Sequence, residues 1–193
     1  MKRDYIEFQD RGAAIGYLLT FRCYGSWLHG DERESVDRRY FNRFGTAKIA
    51  PNPEKERRRA GLLSHKPYLL GAAERKVVDE AIREVCTVRE YGLFALNVRT
   101  NHLHIVTSSS GSPERMMNSF KAYATKALRA AGLIEIDHKV WSRHGSTRYL
   151  WSDAHVGAAV EYVVNGQGGE LPTFDSDDSW LREPLLTCGL RTR

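Results

Sequence analysis

The sequence predicts an α+β fold: an antiparallel sheet with helices packed on one face, plus one further helix toward the C-terminal end. Three observations predict it. Segments of period two and segments of helical period follow one another in the order strand, helix, strand, strand, helix, strand, helix. A long amphipathic stretch over 72–91 leads into two short alternating runs that meet at Thr100-Asn101, as in a hairpin. Ser112-Pro113-Glu114 then opens a second helix, with an N-cap serine and a proline at the first helical position. A β-α-β-β-α-β core of this kind is the ferredoxin-like split motif.

The elements follow in order. Residues 1–12 are polar and peripheral in character. Between Ala14 and Ser26, Ile15, Tyr17, Leu19, Phe21 and Cys23 alternate with Gly16, Leu18, Thr20, Arg22 and Tyr24. Such a run is a strand, and its partly apolar second face suits a central one. Gly25 and Gly30 bracket Trp27-Leu28-His29 in a turn-like segment. Residues 31–66 carry no sustained period and read as a basic insertion. Its many arginines and lysines are interleaved with Tyr40, Phe41 and Phe44, and acidic residues offset part of the charge. Basic and aromatic side chains in alternation suit a groove for nucleic acid, and a solvated loop equally well.

In the helix of 72–91 the inward stripe is Val77, Val78, Ala81, Ile82, Val85 and Val88, with Gly92 as its stop. Strands follow at Leu93–Arg99 and His102–Ser108. The next helix runs to about Ala131, with Met116, Phe120, Ala124, Ala127 and Ala131 inward. Tyr123 stacks on that stripe and is expected to pack rather than react. A fourth strand is expected near Val140–Trp151 and a third helix from Asp153 to Asn165. The stretch 170–193 reads as a tail, acidic and then mixed, with Trp180, Leu181, Leu185 and Leu186 as docking points. The whole of 1–193 is thus expected to form one domain, with the insertion at 31–66 and the tail at 170–193.

Composition bounds the chemistry. A hydrophobic fraction of 41% is enough for a buried core, and 27% charged residues is ordinary for a soluble protein. The net charge of +5 favours an acidic partner, nucleic acid first. Cys23, Cys86 and Cys188 are odd in number and far apart, so neither a disulfide framework nor a thiolate metal site is expected. With no apolar leader and no run of membrane-spanning length, a reducing cytoplasmic compartment is the expectation.

The chemistry centres on Asn101-His102-Leu103-His104-Ile105-Val106-Thr107. Alternation along a strand points His102 and His104 to one face and Leu103 and Ile105 to the other. Two neutral imidazoles side by side make half of a metal site. The bland reading, satisfied core histidines, fits a lone buried His better than a same-face pair. On the last helix Val156, Ala159, Val160 and Val163 form the apolar stripe. Tyr162 falls about 120° from the middle of that stripe at 100° per residue, so its hydroxyl faces away from the helical core. Gln167 follows closely, among Gly166, Gly168 and Gly169, and its amide oxygen is a plausible ligand for a hard or borderline cation.

At these residues the chain resembles a known family. His102-Leu103-His104 matches the HUH motif, histidine-hydrophobic-histidine. Ala159-Val160-Glu161-Tyr162-Val163-Val164-Asn165-Gly166-Gln167 is similar to the helix that carries the single catalytic tyrosine in HUH transposases. These are the enzymes of small insertion sequences and their REP-associated relatives. The resemblance spans roughly Ile15 to Gln167 and takes in Thr20 to Asp31 and Trp141-Ser142-Arg143-His144. It implies His102 and His104 as metal ligands, Tyr162 as nucleophile and Gln167 as third ligand. Relatives place that glutamine four residues after the tyrosine; here Gly166 stands at that position and the glutamine is one later. Either Gln167 swings back or Asn165 takes the role.

A free tyrosine phenol titrates near 10. Attack on a phosphodiester therefore needs a cation that draws charge from the phosphate and aligns it. Imidazoles alone favour Zn, Ni or Cu; the resemblance implies Mg²⁺ or Mn²⁺. It also implies single-strand DNA cleavage and rejoining through a 5′-phosphotyrosine, a homodimer, and a place beside the nucleoid.

Contacts to single-stranded or hairpin DNA are expected from Arg143, His144 and Arg148 on the fourth strand and from Lys121 and Lys126 on the second helix. Two rivals remain. A phosphoesterase with paired H-x-[ST] motifs would use His144-Gly145-Ser146, but His102-Leu103-His104 supplies no second motif. An inactive or domesticated descendant would bind single-stranded or hairpin DNA without cutting it.

Overall fold

The computed structural model describes residues 14–33, 35 and 49–166. Its frame is four strands and four helices. In chain order they are β1 (Gly16–Cys23), α1 (Pro53–Ala60), α2 (Ala72–Arg89), β2 (Gly92–Val98), β3 (His102–Ser108), α3 (Pro113–Ala130), β4 (Trp141–Leu150) and α4 (Asp153–Asn165). The strands form one sheet in the order β2-β3-β1-β4, and every neighbouring pair is antiparallel. That is the α+β split motif expected from the sequence.

Alternation divides the side chains between two layers. Leu19, Phe21, Leu103 and Ile105 point to one face and join α2 residues Val78, Ile82 and Val85 and α3 residues Met116, Phe120, Ala124 and Leu128. Leu18, Ala95, Val106 and Leu150 meet α4 through Val156, Ala159 and Val163 in a smaller cluster. Leu18 pairs with Val106, which pairs with Ala95, and residues opposite one another share a face. So α2 and α3 cover one face, and α4 covers part of the other.

Several local details differ from the pattern. The α2 stripe ends sooner than its periodicity suggests, leaving Val88 61% exposed. Glu90, rather than Gly92, adopts the left-handed conformation that ends α2, and Gly92 already begins β2. On α3 the turn after Ala124 buries Leu128, while Ala127 is half-buried and Ala131 exposed. Residues 31–66 contain a helix that no apolar stripe announces. In α1 no residue is buried, and its start is fixed locally: Asn52 caps the amide of Lys55 and Pro53 occupies the first turn. Close approach to the preceding turn places α1. Gly30 has φ +106, and a Cβ there would lie 2.4 Å from the Asn52 carbonyl oxygen. Tyr40, Phe41, Phe44 and the tail at 170–193 lie outside the described residues. Among the described residues no helix is long and apolar enough to cross a membrane.

Candidate active site

The histidine face carries its polar residues in rows across the sheet. His104 on β3 lies opposite Thr20 on β1 and Asn97 on β2, and Thr20 lies opposite Ser146 on β4. One row further along, His102 lies opposite Arg22. The two imidazoles meet edge to face, with centroids 4.8 Å apart. On each ring Nδ1 has a polar partner. His102 Nδ1 is 2.6 Å from Asn101 Oδ1, and His104 Nδ1 is 2.8 Å from Thr20 Oγ1. An amide oxygen can only accept, so His102 donates from Nδ1 and its lone pair sits on Nε2. The Thr20 hydroxyl can accept from or donate to His104 Nδ1, and where it accepts, the second ring has the same tautomer. This is how a carbonyl or hydroxyl behind a histidine prepares it as an Nε2 ligand.

Tyr162 comes to the same place from α4. Its ring is 5.5 Å from that of His104 at an interplanar angle of 80°, all within one chain. Val163 is fully buried against the sheet while Tyr162 is 46% exposed, so the tyrosine overhangs the polar rows and faces solvent. The last turn of α4 is anchored there, because Asn97 Nδ2 donates to the Val163 carbonyl at 2.8 Å. That bond satisfies one of the carbonyls a helix end leaves without an internal partner. Gly166 lies against the tyrosine, where a Cβ would come within 2.9 Å of the Tyr162 ring. The sequence reading missed Thr20 and Asn97 as partners; the signal was a polar residue in each of two apolar strands.

Tyr123 is elsewhere. It is half-buried on α3 against the large core cluster, across the sheet from the histidines.

The expected ligand set is only partly placed. His102 and His104 come together, whereas Gln167 lies outside the described residues. Asn165 is exposed, and its Nδ2 donates to Glu161 Oε1 at 2.9 Å. Among the described residues no three His, Cys, Asp or Glu side chains gather as a metal cluster.

The basic residues divide between the faces. Arg148 lies opposite Leu18, on the histidine face, and is exposed. Gly145 lies opposite Phe21, on the α3 face, so the preceding His144 turns to the histidine side by alternation. Arg143 is exposed beside the register shift in the β1–β4 ladder. Lys121 is also engaged with β4. It is half-buried on α3, and its Nζ donates to the carbonyls of Ser142 at 2.9 Å and His144 at 3.2 Å. Burial pushes its ammonium down to about 8. Lys126 lines an open groove of about 500 Å³ with Asn118, Thr125, Arg129 and Trp141, beside α3 and away from the histidines.

Residues 64–164 match the family described as IS200-like transposases, a span of more than half the chain that includes His102, His104 and Tyr162. The chain belongs to the IS200-like transposase family. Two solved structures resemble this transposase at a distance. One is a REP-associated tyrosine transposase bound to a REP hairpin, with 13% identity over 84% of this chain and 68% of that chain, at a TM-score of 0.44. The other is a candidate transposase of Deinococcus radiodurans R1, with 12% identity over 88% of this chain and 98% of that one, also at 0.44. Likeness of that order places no residue. No curated protein matches the chain.

Proposed function

We propose that this transposase cleaves and rejoins single DNA strands with Tyr162 as nucleophile. The observation that carries the reading is the contact of the Tyr162 ring with His104, itself 4.8 Å from His102. In the cleavage step the phenolic oxygen bonds to phosphorus and the P–O3′ bond breaks. The phenolic proton passes to water, and the departing 3′ oxygen takes up a proton. The products are a 5′-phosphotyrosine and a 3′-hydroxyl, and attack by a 3′-hydroxyl reverses the step without ATP.

His102 and His104, with Nδ1 engaged behind them, fit a divalent cation at Nε2, and Gln167 or Asn165 is the proposed oxygen ligand. Mg²⁺ or Mn²⁺, when bound, would withdraw charge from the phosphate oxygens. A homodimer would bring two such sites, and so two DNA ends, together.

Arg143, His144 and Arg148 are proposed to track the DNA along β4, and Lys121 and Lys126 to extend that contact from α3, where the Lys121 Nζ also holds the β4 backbone. Hairpin DNA is the natural probe, since it offers both a duplex backbone and splayed bases.

The test is incubation with a single-stranded DNA hairpin and Mn²⁺, followed by a denaturing gel. A covalent adduct is expected from wild type and from Tyr123→Phe, and none from Tyr162→Phe. An adduct that persists in Tyr162→Phe overturns the nucleophile. Cleavage indifferent to His102→Ala and to a chelator removes the metal. Hairpin binding without any adduct would favour a domesticated DNA-binding protein.

A further inference from the structure

Arg22 is the histidine-face residue that neither the family match nor the Tyr162 reading assigns. It stands directly opposite His102 in the β1–β3 ladder, where facing Cβ atoms lie about 4.5–5.5 Å apart. Its guanidinium carbon sits 3.1 Å from the centroid of the Trp27 ring, which fixes the plane of the fork. The carboxylate nearby is already committed. Asp31 accepts from Arg33 through the backbone N–H at 2.9 Å, Nε at 2.7 Å and Nη2. Among the described residues, the Arg22 guanidinium makes no hydrogen bond. Arg22 is half-buried, and a second cation, Arg33, stands over the same Trp27 ring at 4.5 Å from its centroid.

A half-buried, preoriented guanidinium whose neighbouring carboxylate is bound elsewhere is suited to one ligand class, a phosphate, which its fork matches bidentately. We propose that Arg22, stacked on Trp27, binds a non-bridging oxygen of the DNA phosphate held beside His102. The proposal rests on the Tyr162 reading for the identity of that phosphate. The rival is a structural arginine that only props Trp27 and the turn after β1.

The experiment compares wild type, Arg22→Lys and Arg22→Ala with hairpin DNA and Mn²⁺ under single-turnover conditions. Loss of one preoriented donor to developing charge typically costs about 10²–10³-fold in rate, and Arg22→Ala is expected to fall by that much at saturating DNA. Arg22→Lys should recover part of the loss, and dilute guanidinium chloride should restore Arg22→Ala. The slope of log affinity against log salt should also drop by roughly 0.7–0.9, the loss of one phosphate contact. An Arg22→Ala rate within threefold of wild type overturns the proposal. So does a slower rate that guanidinium cannot restore and that tracks a lowered Tm. Failure of the Tyr162 reading looks different, because wild type then forms no adduct. Arg22 is in that case decided by the salt slope, and an unchanged slope refutes it.

Discussion

Replacing Thr20 by valine isolates the hydrogen bond behind His104, because the substitution keeps the shape and removes only the hydroxyl. His104 is 7% exposed and its Nδ1 is 2.8 Å from Thr20 Oγ1. Loss of the partner leaves a buried ring nitrogen without that bond, at a cost of about 1–3 kcal/mol. At roughly 2–4 °C per kcal/mol for a chain of this size, Tm should fall by about 2–12 °C. The functional loss has a separate origin. With Nδ1 no longer held, the tautomer that presents the Nε2 lone pair loses its bias, and changes behind a ligating histidine typically cost about 10–100-fold in metal affinity. Mn²⁺ titration by calorimetry reads that loss, and nitrogen-15 shifts of the ring read the tautomer without any metal. Thr20→Ser keeps the hydroxyl and should stay near wild type in both. Wild-type Mn²⁺ affinity together with an unchanged His104 tautomer in Thr20→Val would refute the reasoning, and equal losses in Thr20→Ser would assign the effect to packing.

Three further outcomes are expected. A Cβ on Gly145 would lie 2.5 Å from both the Thr20 carbonyl oxygen and Met117 Sδ, so Gly145→Ala should cost about 1–3 kcal/mol in urea unfolding through overpacking. Asn97→Ala removes the bond to the Val163 carbonyl. It should lower stability by only about 0.5–1.5 kcal/mol, yet slow adduct formation several-fold while leaving hairpin affinity unchanged. Hydrogen bonds from Arg33 hold Asp31 down to about 2 from an ordinary value of 3.8. A depressed carboxylate stabilises the fold above its unfolded value and loses that contribution as pH falls toward the folded one. Unfolding followed by tryptophan fluorescence should therefore show a loss of stability between about pH 4 and pH 2 that is absent in Asp31→Asn.

How much was legible follows from the range of each interaction. Burial alternates along β1 and recurs at helical spacing along α2, α3 and α4, and the two histidines of β3 stand two apart, so the order of the elements and the placement of His102, His104 and Tyr162 on faces could be read along the chain. Tyr123 and Tyr162 were separable for the same reason: each helix stripe sets which tyrosine packs and which overhangs. Helix α1 carries no stripe; it is fixed by Asn52, Pro53 and the approach to Gly30, none of which is periodic. The partners of the site were not legible either. Thr20 and His104 are 84 residues apart, and Asn97 and Val163 are 66 apart. Such pairs depend on strand register, which periodicity leaves open by any even number of residues. The carbonyl partners of Lys121 were not legible for the same reason: they belong to β4, 21 and 23 residues along the chain.

The position of the site follows from a change of composition along a single sheet face. The row Ala95–Val106–Leu18 is apolar, and two residues along each strand it gives way to Asn97–His104–Thr20, then to His102 and Arg22. Helix α4 can gain burial only over the apolar row, so Val156, Ala159 and Val163 settle there. Its last turn reaches the boundary, where Asn97 holds the Val163 carbonyl. One residue earlier on the helix, Tyr162 can neither join the apolar contact nor leave the sheet, and its ring lands against His104. A tyrosine one turn earlier would stand over the apolar row instead, and one turn later it would pass the end of the helix at Asn165. The meeting of tyrosine and histidines thus depends on where the apolar row stops. Extending that row, as in Asn97→Leu, should draw the end of α4 inward and part Tyr162 from His104 without disturbing the opposite layer.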